Sequence, residues 1–269
     1  MSFSIEQSFV KQFEADVHLA YQQTGTKLRS TVRSKTGVVG LSTTFQKVGK
    51  GAAATKSRHG LVPVMNLDHE PVECVLSDYY AGDWVDALDE LKTNIDERRV
   101  VAGAGAYALG RKTDELIIGA MKSAETAVEG DALTKELILD AVGVLNSNDV
   151  PDDGRRFCVV GVAQWNQLLS LDEFVSSDYV GDEKVLVNGF EVKKWLGINW
   201  ILHNALPIEN DARECFMYHS GAVGHACGQD VKTDISWNGE RAAHFISNSM
   251  SQGAVLIDKD GIVLLKCGE

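Results

Sequence analysis

Apolar residues return at every fourth position near the start of the chain: Ile5, Phe9, Phe13, Val17 and Tyr21. That spacing lies on one stripe of a helix and predicts a helix over residues 4–21, with Ser4 and Gln7 in the positions of a capping box. The stripe would suit an arm docked on a neighbour, or ordinary core packing. The period then vanishes. Residues 36–60 carry glycines at 37, 40, 49, 51 and 60 and no helical repeat, which predicts a long extended loop or hairpin. A strand-like return, "LVPVMNLDHEPVECVLSDYY", follows over 61–80, and Pro63 and Pro71 place it at sheet edges rather than in a centre. An excursion of this length is unusual inside one compact domain and points to a projecting element.

From Ile95 to Glu129 the chain holds no proline, and Gly130 can stop a helix, so a helix of 35 residues is expected, roughly 50 Å long at ~1.5 Å per residue. Asn94 with Glu97 forms its expected cap, Asp96 and Glu97 suit the positive end of its dipole, and Gly103, Gly105 and Gly119 are positions where it could bend. A second helix over 132–146 aligns Leu133, Leu137, Ala141 and Leu145 on one face. After Pro151 the texture becomes α/β. "FCVVGVA" (157–163) reads as a buried strand and "QWNQLLSL" as the helix after it. "KVLVNGFEVKKW" reads as a hairpin turning at Asn188-Gly189. "GINWILHNALP", "ECFMYH" and two apolar strands around Asp260-Gly261 complete the pattern.

Composition changes this picture in one respect. The chain is acidic, with formal charge −12, yet Val17 to Leu67 contains no Asp or Glu and carries +8, which leaves −20 on the rest. The centre of this segment is the tongue "TTFQKVGKGAAATKSRHG" (43–60), with Lys47, Lys50, Lys56, Arg58 and His59. Such asymmetry implies a partner for the basic part, either nucleic acid or an acidic surface on another copy. Otherwise the composition is that of an ordinary globular chain, able to bury a sizeable core as one large or two smaller domains. No apolar run approaches the ~20 residues of a membrane helix, and the N-terminus lacks the form of a signal peptide, so the chain is expected in a cytoplasm unless it leaves inside a particle. The five cysteines (74, 158, 215, 227, 267) include no CxxC pair and are expected to be buried thiols.

Three groups tempt a chemical reading. "GAGAYA" (Gly103–Ala108) fits G-x-G-x-x-A, but a dinucleotide site needs a strand just before it, and "IDERRVV" is a poor buried strand. Small residues clustered there are better read as room for a close backbone. "VGKGAAATK" fails as a phosphate loop twice, with Thr44 at the leading glycine and Gly51 after Lys50. His219, His225 and Cys227 lack a second cysteine or carboxylate set at ligand spacing, so core or surface histidines are expected, with no metal, cofactor or catalytic group.

The order of parts, with its residues, resembles the major capsid protein of tailed double-stranded DNA bacteriophages. "DELKTNIDERRVVAGAGAYALGRKTDELIIGAM" is similar to that family's spine helix, with its Asp-x-Arg start and Ala-Leu-x-Arg-x-x-Asp middle. "RRFCVVGVAQWNQLLSL", "VLVNGFEVKKWLGINWILHNALP", "GAVGHACGQD" and "GAVLIDKDGIVLL" resemble its later elements, and the resemblance covers about residues 40–269.

This resemblance implies the α+β capsid fold shared with herpesviruses and encapsulins. Residues 1–42 would form an N-terminal arm and 43–80 an extended loop. Residues 81–130 and 228–258 would form a peripheral domain, and 131–227 and 259–269 an axial domain. It implies a non-enzymatic shell subunit of the virion, grouped with its own copies as hexamers and pentamers and assembled in the host cytoplasm. Lys47, Lys50, Lys56 and Arg58 on the loop, and Ile5, Phe9 and Phe13 on the arm, would touch neighbouring copies. A portal, decoration proteins and weakly bound packaged DNA would be the further partners it implies. Because the arm begins at Met1, scaffolding is expected from a separate protein. Some relatives cross-link loop lysines to asparagines, but no such asparagine can be picked out here. The alternatives are an encapsulin-like compartment holding a cargo enzyme, and a nucleotide-binding enzyme using Gly103–Ala108.

Overall fold

The structure is a computed structural model, and it describes residues 22–92, 96–171, 174 and 193–268. The expected helix over 4–21 and the expected hairpin turn at Asn188-Gly189 lie outside the described residues. The element order is β1 (Arg33–Thr36), β2 (Ser42–Val48), β3 (His69–Val75), β4 (Ser77–Asp86), α1 (Ala87–Lys92), α2 (Glu97–Met121), β5 (Ala127–Gly130), α3 (Lys135–Ser147), β6 (Arg156–Val160), α4 (Val162–Leu169), β7 (Lys193–Trp195), β8 (Ile198–Leu202), β9 (Ile208–Glu209), β10 (Ala212–His219), β11 (Val223–Asn238), β12 (Ala243–Leu256) and β13 (Ile262–Gly268).

Two compact units divide the chain. The smaller comprises the described residues up to Thr26 and those within Asp78–Lys112 and Asp230–Met250; the larger comprises the described residues within Lys27–Ser77, Thr113–Gln229 and Ser251–Gly268.

The larger unit is built on a seven-stranded sheet ordered β5-β13-β10-β6-β8-β7, with β9 paired to β10. Its centre is made by the continuous apolar runs of the sequence. β10 runs antiparallel to β13 (Cys215 opposite Leu265) and to β6 (Met217 opposite Cys158). α3 covers the sheet with Leu137, Ile138, Ala141 and Leu145, all buried, and Leu133 just before it is buried too. The helix starts where the Thr134 side chain accepts from the Leu137 N–H at 3.3 Å. It stops at Asn148–Asp149, where Asp149 takes φ +58°. Arg156, buried at the start of β6, then donates to the Pro151 and Val150 carbonyls at 3.1 and 2.5 Å, closing the loop by charge-assisted hydrogen bonds. The aromatic residues Trp165, Phe174, Trp195 and Trp200 pack largely edge to face.

In the smaller unit the far half of β11, the near half of β12, and β4 lie in that order. Val85, Leu109, Ala243, Ile246 and Met250 are buried. The "GAGAYA" stretch is the interior of α2 and not a strand-turn-helix, which removes the dinucleotide reading. Its Gly105 faces Asn248 and the Ala81 carbonyl so closely that an added Cβ would overlap the Asn248 amide. The small residue is there to admit a strand.

Several expectations need correction. The long helix spans 97–121 rather than 95–129; Lys122 N–H makes a last bond to Ile118 O, Ser123 and Ala124 turn back, and the chain enters β5, which pairs in parallel with β13. Tertiary pairing overrides the helix propensity of 124–129. Asp96 Oδ1 accepts from Arg99 N–H at 3.3 Å and caps α2, whereas Asn94 is outside the described residues. The return 61–67 is not strand, and β3 begins only at His69. The two tail strands flank Asp260-Gly261 but join different sheets.

All five cysteines are free and buried, and burial raises the thiols of Cys74 and Cys158 above the ordinary range. An aromatic disulfide reagent is therefore expected to titrate fewer than one thiol per native chain and all five after denaturation. Rapid reaction of the native chain would contradict the burial.

Candidate intersubunit loop

β2 and β3 form an antiparallel ribbon in register from Ser42 opposite Val75 to Val48 opposite His69, and Gly49 N–H to Asp68 O (2.8 Å) adds one more rung. Its root is fastened by a small core: Phe45 of β2 and Cys74 of β3 pack with Leu76, Ala226 of β11 and Ile257. Arg33 stacks over the Phe45 ring at 5.7 Å, and Lys35 Nζ donates to Thr43 Oγ1 at 2.6 Å. Beyond the root, residues 49–59 and 61–70 are exposed without exception.

The four sequence-chosen cations separate into two pairs. Lys47 Nζ meets Asp258 Oδ1 at 2.9 Å, a half-exposed ion pair whose hydrogen bond holds the lysine above its ordinary range. Lys50 Nζ reaches Asp149 Oδ2 at 2.9 Å and Asn148 O at 3.3 Å; the same bond raises the lysine and lowers the Asp149 carboxyl. Both pairs join the tongue's base to its own subunit. Lys56 and Arg58, at the tip, are exposed and make no ion pair among the described residues. Ile5, Phe9 and Phe13 lie outside the described residues.

Inspection of charge alone missed the tongue's second feature. Leu61 (94% exposed), Val62 (74%), Val64 (79%) and Met65 (51%) stand in water along the return arm. A contiguous exposed apolar run marks an interaction surface, whereas single exposed apolar residues do not. The signal was present in "LVPVMNL" (61–67): five apolar residues beside a proline that keeps them off a central strand.

The remaining candidates are structural. His219 Nδ1 accepts from Gly221 N–H (3.1 Å), so Nε2 carries the proton and faces Asp153 Oδ1 (3.2 Å). His225 is buried against Gln252 (3.0 Å), and Cys227 is buried in β11 opposite Thr36 of β1. Each has its own partners, and no group of three ligands capable of holding a metal occurs among the described residues.

Asp114 is another residue that inspection of the sequence took only as part of a motif. It is fully buried in α2, and its carboxylate accepts from Lys27 N–H (3.0 Å) and Leu28 N–H (3.1 Å) and faces His203 Nε2 (3.1 Å). It therefore ties α2, the segment before β1 and the end of β8 together.

An α+β chain with a projecting two-stranded tongue, a long helix and a sheet-and-helix domain is a tailed-phage capsid fold. Solved structures of that class superpose on nearly the whole chain. "Mycobacterium phage Che8" matches with TM-score 0.76 at 20% identity, covering 96% of this chain and 97% of that one. The capsid of cyanophage P-SCSP1u matches at 0.78 and 17%, covering 100% and 96%. The mature capsid of bacteriophage PhiM1 matches at 0.70 and 14%, covering 96% and 91%. No curated protein matches. Residues 5–269 match the family model described as phage capsid protein, and the chain belongs to that family. It is a structural subunit of a phage head, and no observation favours the compartment alternative.

Proposed function

We propose that this subunit builds an icosahedral head of hexamers and pentamers around packaged double-stranded DNA, with the tongue of one copy lying over the next. The supporting observation is the exposed apolar arm 61–67 beside two cations, Lys56 and Arg58, that have no ion-pair partner in their own chain among the described residues. Covering the apolar arm supplies the attraction. Exposed ion pairs add only ~0–1 kcal/mol each, but they fix register and steer encounter. The basic tongue meets an acidic neighbour because the +8 segment and the −20 remainder belong to the same chain.

The larger unit corresponds in this reading to the axial domain and the smaller to the peripheral domain. The subunit has no enzymatic role, assembles in the host cytoplasm and resides in the virion. A separate scaffolding protein, a portal and decoration proteins are its further partners.

Negative-stain microscopy of the expressed chain, alone and with a co-expressed scaffold, tests this. Closed shells are expected, and small oligomers under every condition would overturn the reading. Leu61→Asp with Val64→Asp, and separately Lys56→Glu with Arg58→Glu, are expected to leave the melting of the free subunit unchanged and to cut shell yield about tenfold, since surface changes are near-neutral for folding. Lys50→Glu is a different experiment, because it sets a carboxylate against Asp149 at the tongue's base.

A further inference from the structure

We propose that the larger unit carries a phosphate-binding niche formed by Arg33, Arg155 and the His219–Gly221 turn. A cavity of about 410 Å³ opens where the start of β1, the residue preceding β6 and the end of β10 meet. Val32 and Phe157 contribute apolar walls, and Ser30, Ser34 and Ser220 contribute hydroxyls. Backbone hydrogen bonds fix the three segments together: Arg33 N–H donates to Ser220 O (3.0 Å), and Ser220 N–H donates to Arg155 O (3.0 Å). The two guanidinium-bearing residues are thus held on a common frame although they are far apart in sequence.

The charge balance favours an anion. No lining residue of the cavity is acidic. Asp153, a carboxylate beside it, is already engaged by His219 Nε2 (3.2 Å) and by Arg155 N–H (3.0 Å). Partial burial pushes that carboxyl up, but these two donors outweigh it and hold it below the ordinary range, so it stays an occupied anion. The Ser34 hydroxyl donates to Arg29 O (3.2 Å), and the face of the Arg33 guanidinium lies over the Phe45 ring (5.7 Å), so the ligand is offered the N–H edge of Arg33 together with Arg155, Ser30 and Ser220. The contrast within the same unit is sharp: a second cavity of about 370 Å³ is lined by Glu129, Asp131 and Glu209 with only Lys266 against them.

Guanidinium groups are planar forks that match phosphate oxygens in pairs, and the cavity's size admits one phosphate group with its ester. The ligand chemistry is therefore a phosphate, supplied either by a nucleic-acid backbone or by free phosphate. The niche does not depend on the shell reading, because it lies within one subunit.

The test uses the full chain. Inorganic phosphate is compared with chloride at equal ionic strength by thermal melting. A labelled DNA duplex of about 12 base pairs is titrated by fluorescence anisotropy over a series of salt concentrations. Arg33→Gln with Arg155→Gln is compared with Lys56→Gln with Arg58→Gln on the tongue. Phosphate is expected to raise the midpoint by about 2 °C, and the niche variant to lose that gain. If the source is a nucleic-acid backbone, the niche variant also binds the duplex about fivefold more weakly, and its salt slope falls by about 2. A response to inorganic phosphate alone supports the niche with free phosphate as its source. Arg155 is exposed, so Arg155→Gln alone is expected to fold and to show part of each effect. Indifference of both ligands to the niche variants, or equal losses from the tongue variant, would overturn the proposal.

Discussion

Replacing Gly253 with alanine is expected to prevent accumulation of folded chain. Gly253 is buried in β12 where that strand crosses the end of β3, and a Cβ built there overlaps the carbonyl oxygen of Val75, with Cys74 Sγ 3.3 Å away. The obstacle is backbone, which has no rotamer to escape into. Cys74 is itself locked in the cluster with Phe45, Leu76, Ala226 and Ile257 that roots the tongue. Overpacking with flexible neighbours costs about 1–3 kcal/mol. Here the strands must separate, and a cost above about 4 kcal/mol is expected, with loss of the thermal transition and recovery only as insoluble protein. The same substitution at Gly143 supplies the opposite sign. That glycine is exposed in the middle of α3 with nothing within 4 Å of an added Cβ, so Gly143→Ala is expected to stabilise by about 0.5–1 kcal/mol. A soluble Gly253→Ala chain with unchanged melting would show that β12 and β3 are not apposed as described.

The second large effect belongs to Asp114→Ala. Removing the carboxylate strands the buried Leu28 N–H, the part-buried Lys27 N–H and the proton on His203 Nε2. That imidazole cannot simply turn to another tautomer, because its Nδ1 accepts from Ala205 N–H at 3.2 Å. Breaking a buried charged network by deleting one partner costs about 3–5 kcal/mol. Asp114→Asn keeps the shape but points an NH₂ at donors, and is expected to recover less than half of the loss. A melting curve registers the two units together and does not locate where the protection is lost. Hydrogen exchange is the better measurement, with protection expected to fall first at Leu28 and Thr31 and in the second half of α2. An Asp114→Ala chain less than about 1 kcal/mol weaker would place the anchor elsewhere.

The interior elements were legible because their signals are local. The apolar runs "FCVV" and "CFMY" became the middles of β6 and β10 at the centre of the seven-stranded sheet. Leu133, Leu137, Ala141 and Leu145 repeat at helical spacing and are buried as that spacing requires. The weight of Gly105 was legible in kind, as room for a close backbone, but its partners Asn248 and Ala81 were not. Asp114 stood within a recognisable motif, yet nothing in its neighbourhood along the chain reveals that it receives N–H groups from Lys27 and Leu28.

The sequence by itself determined the mixture of helices and strands, the buried thiols, the separation of a +8 segment from a −20 remainder and the existence of a projecting tongue, because composition and short-range periodicity are properties of neighbours in the chain; the α+β capsid class came from its resemblance to a family. Only the tertiary structure decided that α2 stops at Met121, since β5 is claimed by a strand more than 130 residues later. Only it separated the tongue's cations into Lys47 and Lys50, neutralised by Asp258 and Asp149 of the same subunit, and Lys56 and Arg58 at the tip. It also gathered Arg33, Arg155 and His219 around one cavity. Ion pairing and convergence depend on distances through space, which no spacing along the chain encodes.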